Sequence, residues 1–477
     1  MRRLMMLAAL LAIALPAFAH IGSKDVYEEV NAGPYKLFVT VRPPVVIPGI
    51  ASIEVRSSGA AIRSIRITPT PITGEAAKHP PTSDAMKPSA ADPAFFTGSL
   101  WLMASGSWEV HFDVEGASGT AHSSVPVPAM PLSILPMQRS LGLLLAVLGV
   151  LLVAGIAGIV AAAVGQARLQ PGVQPEPRQR RRALISGCVA LGFAALLVYG
   201  ALRWWNAEAR AYAAAIYHPL SLSPTLSGDT LDLKIGQYRS ARGRSNDDLL
   251  PDHGHLMHLY AIRQPGMDAA FHLHPAPVAA GELSMALPAM PEGTYRLYAD
   301  IVHASGFPET LTADLVVPPN LAAVPLAAED AAAAPPALSQ GKLGTAYKLP
   351  DGYTMVWDRP EDLRANAAYA FRFRLLDSAG QPAGDERPYL GMAGHAAFVK
   401  TDGTVFAHTH PEGSAAMQAM MLANPMDMSE PEHSDSEQIS PTVEFPYGFP
   451  SPGRYRIFIQ MKHAKTVETG VFDAEVH

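Results

Sequence analysis

Apolar and polar residues alternate in some stretches of this chain and run together unbroken in others, and the two patterns predict different elements. Tyr35, Leu37, Val39 and Val41 alternate with Lys36, Phe38, Thr40 and Arg42, and Trp108, Val110, Phe112 and Val114 alternate with Glu109, His111, Asp113 and Glu115. A period of two with one wet face predicts antiparallel strands. Pro43, Pro44, Pro48, Pro126 and Pro128 punctuate these runs as in the short strands of a sandwich. Residues 20–136 are therefore expected to form an immunoglobulin-like β-sandwich. In contrast, Leu141–Val164, of 24 residues, and Ala183–Leu202, of 20, contain no charge. Each is long enough for a hydrocarbon core of about 30 Å and predicts a transmembrane helix.

The segment between them, 165–182, holds Arg168, Arg178, Arg180, Arg181 and Arg182 against the single acid Glu176. An excess of arginine marks a cytoplasmic loop, so both flanking regions are expected on the far side of a membrane. The N-terminus agrees. Arg2 and Arg3 precede an apolar run from Leu4 to Leu15, and Ala17-Phe18-Ala19 has the small-x-small form of a cleavage site, which predicts a secretory signal over 1–19. The combination places the protein in a bacterial inner membrane, with N- and C-terminal domains in the periplasm.

The remainder reads as two further β-sandwich repeats, 204–317 and 342–477, separated by an Ala/Pro-rich linker over 318–341. The repeats resemble each other. Met257-His258-Leu259-Tyr260-Ala261-Ile262-Arg263, a Pro265-Gly266 turn and Phe271-His272-Leu273-His274-Pro275 correspond to Gly394-His395-Ala396-Ala397-Phe398-Val399-Lys400, an Asp402-Gly403 turn and Ala407-His408-Thr409-His410-Pro411. Each set predicts a β-hairpin. Downstream, Gly293–His303 matches Gly453–His463, which completes an internal duplication. The expected fold class is thus mainly β, with tandem immunoglobulin-like sandwiches and two transmembrane helices.

Histidine carries the candidate chemistry. Residues two apart in a strand share a face, so His272 and His274 project together, as do His408 and His410. His258 and His395 stand across each hairpin as cross-strand neighbours, and His303 and His463 end an apolar strand face as candidate fourth corners. His255 and Met392 share an offset three residues before His258 and His395, and a thioether there favours copper(I). Met426 and Met428 lie in a loop beside Glu430, Glu432 and Asp435, whereas Met417, Met420 and Met421 have the spacing of a helix core face. His20 becomes the first residue if cleavage follows Ala19, and its amine and ring can chelate copper. Composition narrows the metal chemistry further. Cys188 is the sole cysteine, so disulfides within the chain and multi-cysteine metal sites are excluded, and any metal must use His, Met or carboxylate. A net charge of −7 gives no reason to expect nucleic acid as a partner.

Enzyme motifs are weak. The H-x-H pairs lack the glutamate that a cupin metal motif places three or four residues later, and there is no H-E-x-x-H, G-x-S-x-G or P-loop. The first domain, through Gly33-Pro34-Tyr35, Pro48-Gly49-Ile50 and Phe96-Thr97-Gly98-Ser99-Leu100-Trp101-Leu102-Met103, resembles the YtkA-like and FixH-like immunoglobulin-type domains of bacterial envelope proteins, and the rest resembles His-rich envelope proteins without a defined activity. That resemblance implies a membrane-anchored function associated with copper. The expectation is a periplasmic metal-binding protein that buffers copper or delivers it to a periplasmic copper-protein partner, with zinc as the other candidate ion. A metal-independent interaction module is the alternative and a metal-dependent enzyme the third reading. One roughly independent site per repeat is expected, because each hairpin is expected to belong to its own core; in the alternative arrangement the repeats pack face to face and share one ion.

Overall fold

The computed structural model describes residues 25–166, 169–170, 172–237, 244–322, 324–424 and 437–477. The signal segment, His20, Arg168 and the loop with Met426 and Met428 lie outside the described residues. The chain divides into two compact units, Pro131–Tyr217 and the sequence on either side of it.

Within the larger unit the alternation of the first 130 residues does what it predicts. Val26–Ala32, Tyr35–Arg42, Gly49–Gly59 and Phe95–Leu102 form an antiparallel sheet with Lys87–Pro88 at its edge, and Ile62–Pro71, Gly106–Gly116 and Gly119–Ala129 form another with Asp84–Ala85. Tyr35, Leu37, Val39, Val41, Trp108, Val110, Phe112 and Val114 meet in one core between the sheets, the arrangement of a sandwich.

Unit Pro131–Tyr217 consists of two helices, Arg139–Gln166 and Pro177–Ala214, both long and apolar enough to cross a membrane. Small residues let them approach: a Cβ at Gly187 would come within 3.3 Å of Ala161, and one at Gly165 within 2.9 Å of Ala183. The second helix outruns its apolar stretch at both ends. Arg178 to Arg182, expected in a loop, form its first turns behind a capping box in which the Glu176 N–H donates to Gln179 Oε1 at 2.8 Å. Trp204 and Trp205 also lie on this helix, so the domain expected to start at 204 has its first strand at Leu222–Ser227. Arginine and alanine are good helix formers, so the helix continues past the apolar limits.

Each repeat is again a pair of antiparallel sheets. The first has Leu222–Ser227, Thr230–Ile235, Glu282–Ala286 and Ala276–Ala279 in one sheet. Its other sheet orders Leu249–Leu250, Gly293–His303, His258–Gln264, Ala270–Leu273 and Ala331–Ala333, with Pro308–Val317 also on Gly293–His303. The second repeats this plan with Glu386–Arg387, Gly453–His463, His395–Lys400 and Phe406–Thr409, and with Thr466–Val476 on Gly453–His463. Registers coincide as well: His258 pairs with Asp300 and Tyr260 with Tyr298, as His395 pairs with Gln460 and Ala397 with Phe458. The Ala/Pro-rich segment is more than a linker, since its Ala331–Ala333 strand pairs with Ala270, Phe271 and His272.

The histidine-bearing sheets are buried on both faces. Leu259, Ala261, Phe271 and Leu273 fill the core of the first repeat, and Ala396 and Phe398 that of the second. The opposite faces, with Tyr260, Ile262, Ala270, Tyr298, Ala397, Val399, Phe406, Phe458 and Val471, form a further core between the repeats. The expectation that each hairpin belongs only to its own core fails here: the repeats pack face to face.

Candidate metal centre

Strand parity decides which histidines meet. His258, His272 and His274 share a face with Tyr260 and Ala270, and His395, His408 and His410 share one with Ala397 and Phe406, so all six point into the layer between the repeats. The side chains are buried, with His258 at 2%, His272 at 1% and His395 at 0% exposure.

In the first repeat three ring nitrogens converge. His258 Nδ1 lies 3.1 Å from His272 Nε2 and 3.2 Å from His274 Nε2. The other nitrogen of each ring meets an oxygen: His258 Nε2 the carbonyl of Asp252 at 3.0 Å, His272 Nδ1 the Oε1 of Gln460 at 2.8 Å, and His274 Nδ1 the Oδ1 of Asp330 at 3.0 Å. A carbonyl and a carboxylate accept only, so the outward nitrogens carry the protons and the inward ones present lone pairs. Three lone pairs aimed at one another repel unless a cation lies among them. Outward N–H groups held by oxygen are the arrangement that fixes imidazole ligands around a metal.

The second repeat builds a neighbouring group from His395, His410 and a residue of the first repeat, His253, whose ligand nitrogens lie within 4.8 Å of one another. Among the described residues, neither nitrogen of His253 or His395, nor Nε2 of His408 and His410, has a hydrogen-bond partner, although all are buried. Leaving so many polar atoms unsatisfied is costly and points to a ligand. His408 lies between the groups, its ring centre 5.3 Å from His258 and 4.8 Å from His410. Burial, reinforced by neighbouring imidazoles, pushes His258, His272, His395 and His408 well below the usual histidine value; His253 and His410 fall to about 4, with burial the main cause. Every one of these rings is neutral at pH 7, the form that binds metal.

The repeats exchange supports. Asp300 and Gln460 occupy equivalent positions, and each holds the middle histidine of the other repeat: Gln460 Oε1 accepts from His272, and Asp300 Oδ2 lies 3.3 Å from His408 Nδ1. The first domain steadies His410 from outside, since the turn after it is pinned by Glu29 N–H to the Glu412 carbonyl at 2.6 Å and Ser414 N–H to that of Tyr27 at 2.9 Å. We expect Gln460→Leu, a change in the second repeat, to weaken an ion at His258, His272 and His274 by about 10- to 100-fold. Competition against a chromophoric chelator reads this directly; an unchanged affinity would show that Gln460 does not orient His272.

Two expected corners are misplaced. His303 and His463 share parity with Ile301 and Met461, which face their own sandwich cores, so they stand on the opposite face from the hairpin histidines. His303 contacts Asp248 and Glu309, and His463 stacks on Tyr353. His255 stays at the margin, stacked on His274 at 4.1 Å with Nε2 3.1 Å from Glu329. Met392 is buried in a turn closed by Tyr389 N–H to the Met392 carbonyl at 2.7 Å. Met417, Met420 and Met421 lie on a short helix, Met417–Ala423, with Met420 packed against the first domain's core.

His253 was not anticipated. It sits in the loop Asp252-His253-Gly254-His255 at φ 49°, and Leu390, its counterpart in Tyr389-Leu390-Gly391-Met392, has φ 52°. A left-handed non-glycine residue stores strain, and its recurrence at a candidate site is where such strain is expected. The clue in the sequence was the shared [His/Met]-x-x-His element, extended two residues upstream to His253.

Residues 225–318 and 347–477 match a family described as a domain of unknown function (DUF8832), which covers both repeats and omits most of the Ala/Pro-rich segment. No curated protein matches. Among solved structures, a mutant of Salmonella alpha-2-macroglobulin aligns with a TM-score of 0.22 at 8% identity over 94% of this chain and 24% of that one. Escherichia coli alpha-2-macroglobulin activated by porcine elastase gives 0.19 at 9% identity over 92% and 31%. An engineered protein gives 0.16 at 15% identity over 20% and 21%. The chain spans about a fifth to a third of the length of these structures.

Proposed function

We propose that this chain is a membrane-anchored copper-binding protein of the bacterial envelope, which holds copper in the layer between its two repeats and buffers it or passes it to a periplasmic partner. The observation that carries the reading is the set of three inward lone pairs on His258, His272 and His274, each backed by an outward hydrogen bond to oxygen. Neutral imidazoles suit copper and zinc, and a buried all-nitrogen site disfavours the hard cations that require carboxylate and water. Two apolar helices and the Arg-rich first turns of the second support an inner-membrane anchor with exported domains. The resemblance of the first domain to YtkA-like and FixH-like domains points the same way.

Two all-histidine groups imply about two ions, and the crossing of His253 into the second group makes this testable. The full chain in detergent, loaded with copper(I), should lose about one equivalent in His253→Ala, although His253 belongs to the first repeat. His272→Ala with His274→Ala should lose the other, and the triple variant both. Full copper content in the triple variant overturns the proposal. Zinc bound with equal stoichiometry but retained against copper(I) would make zinc the resident ion instead.

A further inference from the structure

The duplication extends to a second set of residues away from the layer between the repeats. In the first repeat His303 is closed by its own chain: Nδ1 lies 2.6 Å from Asp248 Oδ1, Nε2 lies 3.0 Å from Glu309 Oε2, and the Arg244 guanidinium pairs with the other oxygen of Glu309. Strand registers identify the counterparts. Ile301 pairs with Glu309 as Met461 pairs with Glu468, and Leu249 pairs with His303 as Glu386 pairs with His463. Asp385, His463 and Glu468 therefore repeat Asp248, His303 and Glu309.

The second copy lacks the closure of the first. Among the described residues, the charges that act on Glu468 are those of Asp351 and His463, and no arginine pairs with it as Arg244 pairs with Glu309. Asp351 brings another carboxylate instead, with Oδ2 2.7 Å from His463 Nε2, while Asp385 Oδ2 lies 3.5 Å from Nδ1. Despite these distances neither nitrogen of His463 makes a hydrogen bond among the described residues, and the residue is only 6% exposed. Its ring is held flat against Tyr353, with centroids 4.0 Å apart, and the Tyr353 hydroxyl donates to Asp385 at 3.3 Å. A buried imidazole is thus fixed with its ring edge among carboxylates, and the ligand atoms of Asp351, His463 and Glu468 lie within 4.8 Å of one another.

We propose that Asp351, His463 and Glu468 bind a divalent cation, supplying from solution the positive charge that Arg244 provides in the first repeat. One imidazole and two carboxylates suit a borderline ion such as zinc, which accepts nitrogen and oxygen together. None of the three residues belongs to the copper-binding layer, so the assignment stands or falls separately from that reading.

The test uses the full chain in detergent, saturated with copper(I) and then equilibrated with Zn²⁺. Wild type should take up about one zinc that the Asp351→Asn, Glu468→Gln variant does not, with the same copper content in both. The carboxamides keep the side-chain shapes, and removing uncompensated charge should leave the metal-free variant melting at or above wild type, whereas zinc should raise only the wild-type melting temperature. If copper loading fails, zinc enters the histidine layer equally in both proteins, and the difference between them still reads this site. Equal zinc uptake by wild type and variant, or a metal-free variant that melts well below wild type, overturns the proposal.

Discussion

Metal held between the repeats is expected to stay bound as the pH falls from 7.5 to about 5, with less than about a tenfold change in affinity between pH 6.5 and 5.5. Three solvated imidazoles with ordinary values near 6.5 would behave differently. Each would compete with protons below that point, and together they would lose roughly a thousandfold in affinity per pH unit. Burial holds His253 and His410 at about 4 and pushes His258, His272, His395 and His408 well below the ordinary value, so these six rings have no proton to displace until the pH falls well below 6.5. The sign for stability follows from the same shifts. A histidine whose folded value is depressed contributes stability above its unfolded value of about 6.5 and loses it as the pH falls towards 4. Buried acids act in the opposite sense: Asp300, raised to about 7, and Glu386, raised to about 9, both chiefly by burial, contribute stability that is lost as the pH rises through those values. A melting curve mixes the two, whereas chelator competition at several pH values isolates the imidazoles. A steep loss of affinity just below pH 6.5 would mean that the rings are wet and that the layer between the repeats opens to solvent.

Much of this centre was written in local pattern. Turn residues at Pro265-Gly266 and Asp402-Gly403 set the hairpins, period two put His272 with His274 and His408 with His410, and the cross-strand positions of His258 and His395 followed. What lay outside local pattern was the meeting of the two hairpins. A signal for it existed in Leu259-Tyr260-Ala261-Ile262 and Ala396-Ala397-Phe398-Val399, which are apolar on both faces and so announce sheets covered on both sides. The same parity argument excludes His303 and His463, whose odd-numbered neighbours face the inner cores. His253 and Asp330 belong to irregular segments with no periodicity to read, and only tertiary packing brings them to the site.

Arg456→Met is expected to destabilise the larger unit by on the order of 3–5 kcal/mol, the range for a buried ion pair that loses one partner. Arg456 is fully buried. Its Nε and Nη2 donate to the two oxygens of Asp473 at 2.9 and 3.1 Å, and Nη1 donates to the carbonyls of Met267 and Pro336, both at 2.9 Å. Three parts of the chain are thereby joined: the second repeat, the hairpin turn of the first, and the Ala/Pro-rich segment that also carries Asp330. Among the described residues, Met in its place leaves two carbonyls without a donor, and leaves Asp473 with only the Leu343 N–H and the more exposed Arg454. Replacing the partner as well, in Arg456→Met with Asp473→Leu, removes the stranded charge and should recover part of the loss, because apolar pairs of similar volume substitute for buried ion pairs at little cost. Denaturant midpoints of the three proteins measure both effects. A loss below about 1 kcal/mol in the single variant would show that water reaches Asp473 and that the repeats are held by apolar packing alone. The predicted loss, accompanied by weaker metal binding, would show that the joint built around Arg456 also sets the spacing of the two histidine groups.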